Sequence, residues 1–504
     1  MSSVVFRDPL VVILDTGRTS IRAGLGLHDL LRLPTIEIPA RVGLRRNASP
    51  EDDASKISAQ NSQAGPSSSK PSPTVKVTDY LVGAQLDEAL ASGQDVVVSW
   101  PFADGDISDW TQAEAIWKYV LFNRLQLRRA QMESPVLLSV LPGLSRDAYE
   151  HIALIFFERF NVAGFAILDR PMAQFYAAIS GNQLSGVVVD IDEDNTDITP
   201  IYDGFVIHPA RMHVALGVND CLCYLAHLLR SNQTVISALS PPDSPLSPED
   251  LQCTLLDLAR HIWKEGLIKV LAEGEAARDL EEEGLTDIAA VLVAGKEKAV
   301  IESGMKKKLT AKASAAEQAR AKEIEALDLV TTEFRGHSLT LGKERHRFCE
   351  PLFDPALLSG VAGIQPKTGH YETVRPLQAA VGDAVSRAEV DQRPYIWQGL
   401  FVTGEITNHI KGIGLALQAR LAPYILTAPD PQYNEVQPRS IRTLKVPDYF
   451  AEYRDKGDGL ASFLGSSIVA KITFNDSMGK NFVSKSDYAS AGPRVVLGMS
   501  PSLL

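Results

Sequence analysis

Apolar and polar positions follow a pattern that predicts two β-hairpins in the first half of the chain. Residues 9–27, PLVVILDTGRTSIRAGLGL, begin with an apolar run and turn at Asp15-Thr16-Gly17, which predicts a hairpin with a buried first strand. Residues 187–205, VVVDIDEDNTDITPIYDGF, predict a second strand–turn–strand unit. The second turn region lacks glycine and contains the carboxylates of Asp190, Asp192, Glu193, Asp194 and Asp197.

Helices and buried strands are predicted to alternate between the two hairpins. Residues 108–130 have a helical spacing of apolar positions and a capping residue at Ser108 or Asp109, so a helix is predicted there. The other predicted elements are strands at 134–142 and 163–169 and helices at 145–161 and 170–180. This alternation, together with the hairpins, predicts a mixed α/β sheet.

Three segments have compositions that do not favour a packed core. Residues 46–76 are rich in Ser, Pro, Asn and Gln, so we predict a disordered loop. Residues 231–253 form a polar insertion whose prolines predict turns. Residues 273–327 are rich in Ala, Glu and Lys, a composition that favours helix and also solvation.

Composition and charge exclude few classes of protein. The 504 residues are 45% hydrophobic and 22% charged, which is typical of a globular protein with a large core and two or more domains. The net charge of −12 excludes a molecule that binds nucleic acid over its whole surface. The four cysteines are too few for a disulfide framework. Cys221 and Cys223 could form one pair of metal ligands, but the sequence has no second pair, so we predict reduced thiols and no metal site.

The chain carries no recognisable targeting or membrane signal. Its first residues, MSSVVFRDPL, contain no apolar signal-peptide region. Apolar runs elsewhere are too short to span a bilayer. We therefore predict no membrane association and a location in the cytosol or the nucleus.

The order of these segments resembles that of an actin-related protein. LDTGRTSIRAGLG at 14–26 is similar to the first phosphate loop of actin, and GVVVDIDEDNTDITPIYDGF at 186–205 is similar to the second. The segments IWKYVLFNRL, SPVLLSVLP and IFFERFNVAGFAI lie between them in the same order as in actin. LTLGKERHRFCEPLFDPALL, FVTGEITNHIKGI and FVSKSDYASAGPRVV complete the series.

The resemblance implies an α/β, actin-like ATPase fold with two lobes that close over an ATP–Mg²⁺ cleft. Each lobe is expected to contain a mixed five-stranded sheet with flanking helices. The first lobe would span residues 1–180, and the second would span 181–425. Residues 426–504 would return to the first lobe.

The first phosphate turn implied by the resemblance is partly retained. Asp15 matches the residue that holds Mg²⁺ through water, and Gly17 and Gly24 keep the places of glycines that let phosphates approach the backbone. Arg22 stands where the family has Lys, so a cation is kept. Arg18 replaces a small residue.

The second phosphate turn keeps only Asp190. Asp192 and Asp194 stand where actin has glycines, and Glu193 lies between them. One carboxylate–phosphate pair at about 4 Å would cost on the order of 4 kcal/mol at an effective dielectric constant of about 20. If the turn keeps positive φ angles, each lost glycine would add strain of about 1–3 kcal/mol. The sequence therefore predicts weak nucleotide binding at best.

The catalytic positions implied by the resemblance are also changed. Arg170 stands where actin has the glutamine that orients the attacking water, and Asp197 stands where actin has a cleft histidine. The other matched cleft positions are Gly217, Gly404 and Gly465. We therefore predict no enzymatic activity and no firm cofactor, with weak ATP–Mg²⁺ binding as the remaining option.

Three interpretations of the acidic turn stay open at this point. The carboxylates could form a solvated turn without a specific role. They could instead pair with Arg18 or Arg170 across the cleft and imitate the missing nucleotide. In the third interpretation, the turn is displaced and ATP binds weakly.

A partner-binding groove is the other site that the resemblance implies. In the family, a hydrophobic groove accepts amphipathic helices of partner proteins. The matching positions are Tyr176, Gly204, Phe205, Ile468 and Val469. The alternative is that Tyr176 and Ile468 belong to the core.

These features predict a non-catalytic scaffold similar to the nuclear actin-related subunits of SWI/SNF- and RSC-type chromatin remodellers. Such a subunit pairs with a second actin-like protein on a helix of the remodeller ATPase. The alternatives are an actin-related subunit of the dynactin pointed end and a weak ATP-binding actin-like protein. Self-polymerisation is not expected, because 46–76 offers no apolar plug and 273–327 replaces much of one subdomain.

A contact with DNA is a further alternative for the basic part of the 273–327 segment. The basic residues are Lys306, Lys307, Lys308, Lys312, Arg320 and Lys322. Such a cluster could touch phosphate groups of a nucleic-acid backbone. A solvated helix face would have the same composition.

Overall fold

The computed structural model describes residues 6–27, 32–46, 75–179, 181, 183–242, 244–270, 328–361, 373–425, 440–475 and 481–499. The predicted solvated helix at 273–327 lies outside these residues, and so does almost all of the predicted disordered loop at 46–76. Both therefore stay predictions.

The strands follow the predicted order, and both predicted hairpins are present. In the described part of the chain the strands are β1 (Val12–Thr16), β2 (Ser20–Leu25), β3 (Ile36–Pro39), β4 (Val42–Arg45), β5 (Tyr80–Val82), β6 (Val96–Ser99), β7 (Pro135–Val140), β8 (Gly164–Asp169), β9 (Gly186–Ile191), β10 (Thr196–Tyr202), β11 (Phe205–Val206), β12 (Met212–Val214), β13 (Val330–Phe334), β14 (His337–Leu341), β15 (Leu400–Thr403) and β16 (Val483–Ser484). Strands β1, β7, β8 and β9 are buried along their whole length, as their continuous apolar runs predict.

The helices flank these strands. Among the described residues they are α1 (Ala84–Ala91), α2 (Trp110–Lys118), α3 (Arg146–Leu154), α4 (Arg170–Ala178), α5 (Val218–Arg230), α6 (Gln233–Leu239), α7 (Pro248–Lys264), α8 (Glu350–Phe353), α9 (Leu377–Ser386), α10 (Arg393–Ile396), α11 (Ile413–Arg420), α12 (Ala451–Lys456), α13 (Ala461–Phe474), α14 (Lys485–Ala491) and α15 (Val496–Met499). Helices α2 and α3 continue as π-helical turns over Tyr119–Arg124 and Ile155–Arg159.

The first compact unit comprises Met1–Ala177 and Ala461–Leu504. Its main sheet is mixed and has the order β16-β8-β7-β1-β2-β3, which is one strand more than predicted because the two-residue strand β16 pairs with β8. Strands β1, β7 and β8 are parallel, so their carboxyl ends lie at the same edge of the sheet. A small sheet with the order β5-β4-β6 belongs to the same unit.

The second compact unit comprises Ala178–Leu460. Its mixed sheet has the order β11-β10-β9-β15, and β12 also pairs with β10, which gives the predicted five strands. The unit extends beyond the predicted boundary at 425. The N–H of Leu400 donates to the carbonyl of Arg442 at 2.8 Å, and the N–H of Leu444 donates to the carbonyl of Leu400 at 2.7 Å. These bonds tie the segment after 440 to β15.

Two predicted elements differ in the structure. The helix predicted at 108–130 ends at Arg124, and Gln126 has a φ of 55°, which lies outside the range of a right-handed helix. Its cap is Asp109, whose carboxylate accepts from the N–H groups of Thr111 and Gln112. The polar insertion at 231–253 is not mainly turns, because it contains α6 and the start of α7.

Candidate functional site

The first turn contains a buried ion pair. The carboxylate of Asp15, at the end of β1, accepts hydrogen bonds from Nη1 of Arg170 at 3.1 and 3.3 Å. It also accepts one from the hydroxyl of Ser462 at 2.5 Å. The side chains of Asp15 and Arg170 are 1% and 3% exposed. The carboxylate that the resemblance assigns to a metal is therefore already compensated by a cation of the same chain.

The sheet topology explains how Arg170 reaches Asp15 across 155 residues of sequence. Arg170 is the first residue of α4 and follows β8 directly. Since β8 and β1 both run parallel to β7, their carboxyl ends share one edge. The guanidinium also lies against Gly17, where an added Cβ would come within 3.1 Å of Nη1.

The other two arginines of the first turn have different surroundings. The Nε of Arg22 donates to Glu37 on the neighbouring strand β3 at 2.8 Å. The side chain of Arg18 is buried and lies beside Gly105. The resemblance gives Arg22 the place of the family's lysine, and the cation that contacts Asp15 is a different residue, Arg170. Sequence reasoning missed Ser462, for which no motif gave a signal.

The second turn is shorter than the sequence suggested. Asp190 and Asp197 lie in β9 and β10 and are paired across the strands, so only residues 192–195 form the turn. The four turn residues all have φ angles outside the positive range. The strain expected from the loss of glycines at Asp192 and Asp194 is therefore absent, because the turn adopts a conformation open to any residue.

The backbone of this turn packs against the N-terminus of α5. The N–H of Val218 donates to the carbonyl of Asp192 at 3.1 Å, and the N–H of Asn219 donates to the carbonyl of Glu193 at 2.8 Å. The side-chain amide of Asn219 donates to the Asp194 carboxylate at 3.1 Å. The first N–H groups of a helix have no partner within the helix, so the turn supplies acceptors that α5 needs.

The surroundings of the second turn are acidic. Burial raises the pKa of Glu193, and the nearby charges of Glu405 and Asp194 raise it further, while Arg260 and Lys264 oppose this shift. Asp197 lies 2.9 Å from Nδ1 of His213 on β12. Added negative charge here would meet carboxylates that already repel one another.

The retained glycines have structural reasons in their own units. Gly404 has a φ of 98°, and a Cβ there would meet the carbonyl of Ile191 and lie 2.6 Å from the Asp190 carboxylate. In the first unit, a Cβ at Gly465 would collide with the carbonyl of Ala173, so α13 and α4 touch through their backbones. These glycines therefore have a role in packing that does not depend on a nucleotide.

Neither turn, taken within its own unit, fits a metal-bound triphosphate. The Asp15 carboxylate has Arg170 as its counter-ion, and the second turn presents carboxylates where phosphate binding needs donors. Across the described ranges, we find no group of three or more His, Cys, Asp or Glu side chains that could hold a metal ion.

The predicted groove residues differ in exposure. In the second unit Phe205 is 55% exposed and follows Gly204, whose φ is 80°. In the first unit Val469 is buried, while Tyr176 and Ile468 are half-buried, and burial raises the pKa of the Tyr176 hydroxyl. Sequence reasoning missed Ile472, which lies one helical turn after Ile468 and is 64% exposed.

None of the described helices is both long and apolar enough to cross a membrane.

Each compact unit contains a mixed sheet with an antiparallel hairpin, β1–β2 in the first unit and β9–β10 in the second. The family model for actin matches residues 8–249, so this part of the chain carries an actin-family domain. The predicted resemblance to actin-related proteins and the α/β actin-like fold are thereby confirmed.

The chain is also similar to a curated protein over nearly its whole length. It is 26% identical, over 550 aligned positions, to the SWI/SNF and RSC complexes subunit arp9 of Schizosaccharomyces pombe. The alignment covers 97% of this chain and 99% of that protein.

Proposed function

We propose that this chain is a non-catalytic, actin-related scaffold subunit of a SWI/SNF- or RSC-type chromatin-remodelling complex in the nucleus. The observation that carries the proposal is the second turn. Its carbonyl oxygens accept from the first N–H groups of α5, and Glu193 lies near the charges of Glu405 and Asp194, whereas phosphate binding needs N–H donors. The similarity to a subunit of remodelling complexes supports the same assignment.

The proposal excludes hydrolysis because the required groups are absent from their expected places. Phosphoryl transfer to water needs a residue that orients the water and a metal that neutralises the phosphates. At the position of the water-orienting residue, Arg170 instead compensates Asp15. A guanidinium cannot act as a proton acceptor at neutral pH.

A scaffold subunit acts through surfaces that bind partner proteins. We propose that a helix of the remodeller ATPase contacts the positions that the resemblance gives to the groove, which are Tyr176, Ile468 and Val469 in the first unit and Gly204 and Phe205 in the second. Within the first unit, the exposed Ile472 extends the surface of Ile468 along α13. A second actin-like subunit on the same helix is the expected neighbour. The exposed aromatic ring of Phe205 supports this assignment, because an aromatic trough is a common seat for an amphipathic helix.

Affinity purification of the tagged full chain from whole-cell extract, followed by peptide identification, tests the function. We expect peptides of a remodeller ATPase and of a second actin-related protein. Peptides of dynein and dynactin would replace the proposal by the cytoskeletal alternative. Crosslinking of the chain to DNA within the complex would test the basic cluster at 306–322.

Calorimetry with Mg-ATP tests the non-catalytic assignment separately. We expect no binding at nucleotide concentrations that saturate an actin-like site. A dissociation constant below about 10 μM, worth roughly 7 kcal/mol, would contradict the assignment of the second turn.

A further inference from the structure

We infer that Arg170 is a permanent intramolecular counter-ion of Asp15, so that the stability of the first unit does not depend on a bound nucleotide or metal. Its guanidinium donates to both carboxylate oxygens of Asp15, and Ser462 donates to one of them. The three groups come from β1, the start of α4 and the start of α13. They therefore join three separate segments of the first unit at one buried point.

The pair leaves little reason for an external cation at Asp15. A buried carboxylate is stable as an ion only when it is paired and hydrogen-bonded. Here the guanidinium supplies the positive charge and two hydrogen bonds, and the Ser462 hydroxyl supplies a third. A divalent ion at the same oxygens would have to lie beside the guanidinium, whose positive charge repels it.

The position of Arg170 against Gly17 strengthens this reading. The guanidinium is close enough that a Cβ on Gly17 would touch it, so Arg170 occupies the space directly under the turn. Arginine is suited to this place because it keeps its charge when buried, which lysine does not do reliably. A neutral side chain at 170 would leave Asp15 dependent on a cation from solution.

Stability without nucleotide or metal suits a scaffold subunit, and this biological interpretation rests on the proposed function. A protein whose carboxylate carries its own counter-ion has a stability that does not follow the supply of ATP or Mg²⁺. Arg170 is a positioning residue in this account, and its effect is measured as stability and metal dependence.

The test is thermal unfolding of the purified full-length chain in excess EDTA, in Mg²⁺ and in Mg-ATP. The variants are Arg170→Gln, Asp15→Asn and the double variant, with Arg41→Gln as a matched control. Arg41 belongs to the same unit and forms an ion pair with Asp87 at 2.8 Å, but that pair is partly exposed.

We expect the same melting temperature for the wild type in all three solutions. Arg170→Gln should lower it by at least about 4 °C in EDTA, because it leaves a buried charge uncompensated. Mg²⁺ should restore part of that loss in Arg170→Gln and none in the double variant. The double variant should melt above Arg170→Gln, since it removes both charges, and Arg41→Gln should melt like the wild type.

The inference is overturned if Mg-ATP stabilises the wild type, or if Arg170→Gln melts like the wild type. It is also overturned if the double variant is no more stable than Arg170→Gln. Should Arg170→Gln fail to fold while the double variant folds, the result supports the pair. These measurements use the isolated chain, so they can contradict the role of the ion pair while remodeller peptides still co-purify. Equally, the ion pair can behave as expected while no remodeller peptides co-purify.

Discussion

The backbone N–H of Val218 donates a hydrogen bond to the carbonyl oxygen of Asp192 at 3.1 Å, which makes the acidic turn part of the cap of α5. The next N–H of the helix, that of Asn219, donates to the carbonyl oxygen of Glu193 at 2.8 Å. These contacts give the turn a role in the fold that does not depend on a bound phosphate. Its side chains are then free of the constraint that a nucleotide would impose.

The first prediction concerns Gly217, which precedes α5 and lies directly on the turn. A Cβ at this position would collide with the carbonyl of Glu193 and lie 2.6 Å from both the carbonyl of Asp192 and the N–H of Asp194. These are backbone atoms that cannot move independently. We expect Gly217→Ala to lower the free energy of unfolding by about 1–3 kcal/mol, measured by urea unfolding.

The matched control is Gly414→Ala in α11 of the same unit. Its Cβ would meet nothing closer than 3.8 Å, and alanine favours a helix over glycine. This control should be neutral or stabilising by up to about 1 kcal/mol. Equal destabilisation of both variants would show that the close backbone approach at Gly217 does not determine the loss of stability.

A second prediction follows from the raised pKa of Glu193, which has burial as its main cause and the charges of Glu405 and Asp194 as further causes. A carboxyl with a raised folded-state pKa stabilises the protein below its ordinary pKa of 4.5, and this contribution is lost as pH rises through the higher folded value. Glu193→Gln should therefore unfold at higher urea than the wild type at neutral pH. The advantage should disappear below pH 4.5.

Asp250→Asn provides the comparison for Glu193→Gln, because Asp250 lies in the exposed first turn of α7 in the same unit. It should lack the gain at neutral pH. A neutral-pH stability of Glu193→Gln at or below that of the wild type would contradict the account of Glu193 as a carboxylate disfavoured by burial and by the charges of Glu405 and Asp194.

A polar cluster at His346 gives a third prediction, in the opposite pH direction. Nδ1 of His346 accepts from the N–H of Lys269 at 3.0 Å, and Nε2 lies 2.7 Å from the carboxylate of Asp328. The ring is therefore neutral, with its proton on Nε2. Burial lowers the pKa of His346, the hydrogen bond to Asp328 raises it, and the charges of Arg345 and Lys269 lower it.

Because the unfolded chain takes up this proton more readily, the stability from His346 is complete above pH 6.5 and is lost as pH falls through the lowered pKa. His346→Gln keeps an acceptor and a donor without titrating. We expect wild-type stability to fall relative to this variant as pH is lowered below 6.5, in urea unfolding series. An NMR titration that places the His346 pKa above 6.5 would contradict the prediction.

Much of the fold could be predicted because the buried strands have continuous apolar runs. The hairpin β1–β2 and the strands β7 and β8 lie where those runs are. The prolines at 231–253 predict turns, whereas the structure has α6 and the start of α7 there. Pro248 is the first residue of α7, after the cap Ser247, and there proline favours the start of a helix.

The site was less predictable because its contacts depend on strand register. The sequence identifies Arg170 as a replaced residue, but its contact with Asp15 follows only from the parallel order of β1, β7 and β8. Likewise, the loss of glycines in the second turn predicted strain. The turn avoids it with ordinary φ angles, which a list of substitutions does not reveal.

The last prediction tests the proposed partner groove with Phe205, whose ring is 55% exposed in the second unit. Replacing an exposed aromatic anchor by lysine places a charge where a partner helix would bury apolar surface. We expect Phe205→Lys to reduce the recovery of remodeller ATPase peptides in affinity purification by at least about tenfold. Ile472→Lys in the first unit should have the same effect.

Leu415→Lys is the control, because Leu415 is 63% exposed in α11 and is not among the groove residues. Its change in charge and apolar area is similar, so non-specific loss of solubility or folding would affect it equally. Normal recovery with Leu415→Lys and loss with both groove variants would locate the partner helix. Equal recovery with all three variants would exclude the groove residues as the partner site. Other exposed apolar residues, such as Tyr449, would then be the candidates for the partner surface.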